Sequence, residues 1–175
     1  MLALPLAAGL YAGCLVLAAW QDLKARRIPN TVALATASFA ATLAWLAGPR
    51  AELPLAHGTS ALLFLVLFLM WTRGWLGGGD VKLLTAASLA AADPVEVGIF
   101  LLVVAVGGGA LAVAVLAWRH LAPLVLAALI PLRLAPPLLA LTESSRDSTT
   151  LPYAVAIALG GLWLAGARLG WNLGW

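Results

Sequence analysis

Long apolar runs alternate with short polar connectors along the whole chain. Residues 2–20 form the first run, and 31–47, 58–72, 80–92, 94–117 and 151–170 form the others. A helix needs about 20 apolar residues to cross the ~30 Å hydrocarbon core, so the pattern predicts about six spans joined by tight loops. The run at 80–92 is short and predicts a helix that thins the bilayer locally or stands with little tilt. Residues 121–141 are apolar but broken by Pro123, Pro131, Pro136, Pro137 and Arg133. They are read as an interfacial or re-entrant segment rather than a full span.

Local signals sharpen the boundaries. Asn30 is placed to N-cap the second span. In Asp93-Pro94-Val95-Glu96 the aspartate suits an N-cap, the proline the first helical position and the glutamate a capping box. Gly107-Gly108-Gly109 and Gly160-Gly161 fall inside spans, where small residues let helices pack closely. Trp20, Trp45, Trp71, Trp75, Trp118, Trp171 and Trp175 fall near span ends, as interfacial anchors do.

Composition supports a membrane protein. Hydrophobic residues make up 63% and charged ones 10%, against about 25% charged in a soluble domain. Mean hydropathy is +1.03. The expectation is one all-α polytopic bundle over residues 1–175, with the bilayer as its main partner. The net charge of +3 is small, and the cations gather on alternate connectors. That distribution describes topology and not nucleic-acid binding. Lys24, Arg26 and Arg27 put the 22–30 connector in the cytoplasm and the N-terminus outside. These cations follow the first apolar run instead of preceding it, which argues against a cleaved signal peptide. The single cysteine, Cys14, has no intrachain partner and reads as a small core residue. No zinc motif is present and His57 and His120 fall on opposite predicted faces, so no metal or other cofactor is expected. Ser60 and Ser88 lack a convincing partner base, which speaks against a serine nucleophile.

Seven acidic residues can be narrowed by position. Asp93 and Glu96 have a capping role. Glu52 lies beside Arg50 in an outer turn, and Glu143 and Asp147 flank Arg146 in a polar loop. Asp22 and Asp80 remain, both on the predicted cytoplasmic side at the mouths of apolar segments, where a charge is costly and commonly functional. Two close carboxyls share one proton, because both cannot ionise easily. The ionised one can take a proton from water while the protonated one polarises a scissile carbonyl. Local helix dipoles suggest Asp80, at a helix start, as the ionised member and Asp22, at a helix end, as the protonated one. Gly77, Gly78 and Gly79, just before Asp80, leave room for an extended substrate backbone.

Two motifs carry a resemblance. Asp22 opens a basic stretch that closes on Ile28-Pro29-Asn30, and Gly77, Gly79 and Asp80 form a GxGD motif followed by Val81-Lys82-Leu83. Together they resemble the type IV prepilin peptidase family of GxGD intramembrane aspartyl proteases. Leu151-Pro152-Tyr153-Ala154 is a weaker third match, with alanine where the family usually has glycine. The resemblance implies a dyad of Asp22 and Asp80 acting at the cytoplasmic face of the inner membrane. The implied substrate is a prepilin-like precursor with a basic leader, a glycine before the cut and an apolar helix after it. No large cysteine-bearing loop precedes Asp22, so the chain resembles the short form associated with tight-adherence (Flp-type) pili and pseudopilins, and no N-methyltransferase activity is expected. Two alternatives stay open at this point. One is an archaeal preflagellin-type peptidase with the same dyad. The other is a non-enzymatic transporter or channel using the aspartates as proton or cation sites, although no inverted repeat supports it.

Overall fold

The computed structural model describes residues 2–129 and 153–170, and they are all-helical. The helices are α1 (Ala3–Ala25), α2 (Asn30–Ala47), α3 (Leu53–Thr72), α4 (Gly78–Ser88), α5 (Pro94–Leu129) and α6 (Tyr153–Arg168). α1, α2, α3 and the Pro94–Leu121 part of α5 are long and apolar enough to cross a membrane. The protein is thus a polytopic helical membrane bundle. The chain divides into two compact units, one of Met1–Gly107 with Pro152–Trp175 and the other of Gly108–Leu151. The candidate site described below lies within the first.

Several boundaries differ from the sequence expectation. α1 does not stop at Trp20 but continues through Asp22 to Ala25, so Asp22 lies within its last turn. α5 continues to Leu129, so the first part of the expected 121–141 segment is helical, and the remainder lies outside the described residues. α4 has 11 residues, about 16 Å of helix, or half the hydrocarbon core. It is not one of the four spans. The turn after it must therefore be shielded from lipid, because bare backbone is not tolerated at membrane depth. Ala90, Ala91 and Ala92 are fully buried. The Ala92 N–H donates to Glu96 Oε2 at 2.8 Å, and Arg168 Nε donates to the Ala90 carbonyl at 3.3 Å. Glu96 and Arg168 also form an ion pair. The expected cap at Asp93 is present, with the Glu96 N–H donating to Asp93 Oδ1 at 2.8 Å.

The core is built from close approaches. Tyr11 is fully buried and donates its hydroxyl to the Ala87 carbonyl at 3.0 Å, tying α1 to α4. A Cβ at Gly161 would lie 2.7 Å from that hydroxyl, and one at Gly160 would lie 2.6 Å from Val104 Cγ2. The glycine pair thus lets α6 pack against α1 and α5. Trp20, Trp45, Trp71, Trp75 and Trp118 are exposed, as side chains facing lipid or the interface must be.

Candidate active site

The connector between α1 and α2 makes one wall of the site. α1 ends at Arg26, which takes the left-handed conformation at φ 52° and donates its N–H to the Asp22 carbonyl at 3.0 Å. Glycine usually occupies such a helix-ending position, and a side chain there costs about 1 kcal/mol. Pro29 has φ −62° and ψ 146° and serves as the N-cap of α2. Asn30, expected as that cap, is instead the first residue of the helix. Its Oδ1 accepts a hydrogen bond from Lys82 Nζ at 2.9 Å.

The second wall follows α3. Gly74, at φ 73°, ends that helix in a Schellman motif: its N–H donates to the Trp71 carbonyl at 2.9 Å and the Trp75 N–H to the Met70 carbonyl at 3.0 Å. The chain then enters the glycine run. Gly77 is extended, at φ −71° and ψ 137°, so it is not a left-handed conformation that selects glycine there. Space does. A Cβ at Gly77 would lie 2.9 Å from Asp80 Oδ2, and one at Gly78 3.1 Å from Trp71 Nε1. One at Gly79 would make ordinary contact with Ile28, 3.5 Å away. The first two glycines therefore make room for the protein's own side chains, one of them the Asp80 carboxyl.

These walls bring the two aspartates together. Asp22 and Asp80 line one cavity of about 570 Å³. Gly77, Gly78 and Gly79 line it as well, as do Arg26, Arg27 and Lys82. Asp22 is buried, and its Oδ2 accepts the backbone N–H of Ala154 at 3.3 Å. Ala154 lies in the first turn of α6, where N–H groups have no partner within the helix. Asp80 is half-buried in the first turn of α4. Burial, and after it the charge of Asp22, pushes its carboxyl up to about 6.

This arrangement adds tertiary effects to the local helix dipoles read from sequence. Asp80 does begin a helix, but burial beside a second carboxylate outweighs that local benefit. Asp22 does lie in a last turn, yet the tertiary fold sets it against the start of another helix. The weak third match at Tyr153-Ala154 was the one trace of this contact in the sequence. The Lys82–Asn30 bond left no trace, because its partners are remote in sequence. Among the described residues, no group of three or more His, Cys, Asp or Glu side chains could hold a metal ion.

No curated protein and no solved structure gave a match to this chain. The family model of the type IV leader peptidases matches residues 9–116, a stretch that contains Asp22, the glycine run and Asp80, and the chain belongs to that family.

Proposed function

We propose that this leader peptidase is an intramembrane aspartyl endopeptidase that removes the basic leader from type IV prepilin-like precursors, Flp pilins or pseudopilins, at the cytoplasmic face of the inner membrane. The observation that carries this reading is the shared cavity of Asp22 and Asp80. A pair of carboxyls holding one proton has the two functions that water attack on an amide requires.

Asp80 holds the shared proton and Asp22 is the base. Asp22 takes a proton from water as the water oxygen bonds to the scissile carbonyl carbon, and Asp80 gives its proton to the carbonyl oxygen. The product is a neutral gem-diol, with the proton now on Asp22. That proton passes to the amide nitrogen, the C–N bond breaks, and a diol hydroxyl returns its proton to Asp80 as the new carboxyl group forms. No covalent intermediate with the enzyme is needed. The substrate must be extended at the cut, since the peptide bonds of a helix are shielded. Gly77, Gly78 and Gly79 are the proposed substrate-binding residues, presenting side-chain-free backbone to that strand.

Co-expression with a prepilin of this leader type tests the reading. The precursor shortens with the natural protein and stays full length with Asp22→Asn or Asp80→Asn. Processing by either membrane-inserted variant contradicts it.

A further inference from the structure

A second cavity, of about 380 Å³, lies between α2 and α4 and is lined mainly by apolar side chains, among them Leu34 and Ala37 from α2, Phe64 from α3 and Leu89 just after α4. Its size is that of a small-ligand site; it can take a few side chains but not a whole helix. It is not isolated. Asn30 and Lys82 line both this groove and the cavity of the two aspartates. Their hydrogen bond therefore stands at the boundary between a charged compartment and an apolar one. Thr85 also lines the groove, and its Oγ1 is buried without a hydrogen-bond partner. Leu34 is 68% exposed, so the groove is open on its α2 side.

We propose that this groove is the subsite for the apolar segment that follows the cut. The inference rests on the leader-peptidase reading above and adds an address to it. A precursor of that kind changes from polar to apolar at the cleavage point. The protein presents the same order in space, a charged cavity holding both aspartates and then an apolar groove sharing one wall with it. With the scissile bond at the carboxyls, the first apolar side chains beyond it reach the groove, and the Lys82–Asn30 pair meets the backbone at the crossing. The aliphatic stem of Lys82 suits that place, with carbon toward the groove and the ammonium toward the polar side.

Site-specific photo-crosslinking tests this. The full-length protein carries a benzophenone amino acid at Leu34 or Leu89, or at Leu17 or Leu102, which do not line the groove. Each form is placed in phosphatidylethanolamine/phosphatidylglycerol vesicles with a synthetic precursor made of a basic leader, a glycine and an apolar helix. The expected result is precursor adducts several-fold more abundant at Leu34 and Leu89 than at the other two positions, mapping to residues just after the cut. Cleavage by the natural protein is followed in the same vesicles. If the precursor is cleaved but Leu34 and Leu89 capture only lipid, or capture the leader, the groove assignment is overturned and the protease reading stands. If the natural protein does not cleave the precursor, the protease reading fails and takes the subsite with it.

Discussion

Asp22 Oδ2 accepts the backbone N–H of Ala154 across 132 positions of sequence, at 3.3 Å. The contact joins the last turn of α1 to the first turn of α6 and holds one of the two cavity carboxyls from behind. Ala154→Gly keeps the donor and should leave precursor cleavage near its natural level. Ala154→Pro removes the donor within the first turn of α6, where no intrahelical hydrogen bond is lost. A hydrogen bond to a charged group contributes about 1.5–3 kcal/mol, so the proline variant should cleave roughly 10–100-fold more slowly. Rate measurements on both variants, with thermal melts to confirm folding, check this.

The Asp80 carboxyl yields a pH prediction. Its folded value of about 6 lies above the ordinary 3.8, so the folded protein binds this proton more tightly than the unfolded chain does. The corresponding stability is complete below the ordinary value and is lost as pH rises through about 6. Asp80→Asn should therefore melt higher than the natural protein above that range, and the gap should close in acid. The full shift converts to about 3 kcal/mol, and solvent screening of a half-buried group reduces it to about 1–2 kcal/mol. In the natural protein, kcat/KM should fall as pH rises through the same range, because the general acid is lost.

The glycines separate into two kinds. A Cβ at Gly161 would lie 2.4 Å from Leu15 Cδ1, whereas one at Gly13 meets nothing within 4 Å. Gly161→Ala should destabilise the bundle by about 1–3 kcal/mol through overpacking. Gly13→Ala should be neutral or stabilise by up to about 1 kcal/mol through helix propensity. Thermal unfolding followed by tryptophan fluorescence distinguishes the two.

The helices were largely legible in the sequence because a bilayer demands long apolar runs, and α1, α2, α3 and α5 meet that demand. Their ends were less legible. Hydropathy ends the apolar run at Trp20, yet α1 continues to Ala25 and carries Asp22 and Lys24 in its last turn, because a helix can outlast the apolar layer. Both aspartates could be singled out by elimination, since a charge at the mouth of an apolar segment is rare. The surroundings of their carboxyls could not, because the α6 start beside Asp22 and the burial of Asp80 are tertiary facts. The Glu96–Arg168 ion pair was hidden for the same reason: each residue has a sufficient local explanation, a cap and a helix end, that points to no partner.

The central claim is that Asp22 and Asp80 act as one water-activating unit. Single-turnover cleavage of a prepilin precursor by Asp22→Asn, Asp80→Asn and the double variant, in the same vesicles, tests it most directly. Residues that act as a unit show non-additive losses. The predicted result is that each single variant loses as much cleavage as the double variant. Substantial cleavage by either single variant, or losses that multiply in the double variant, would contradict it.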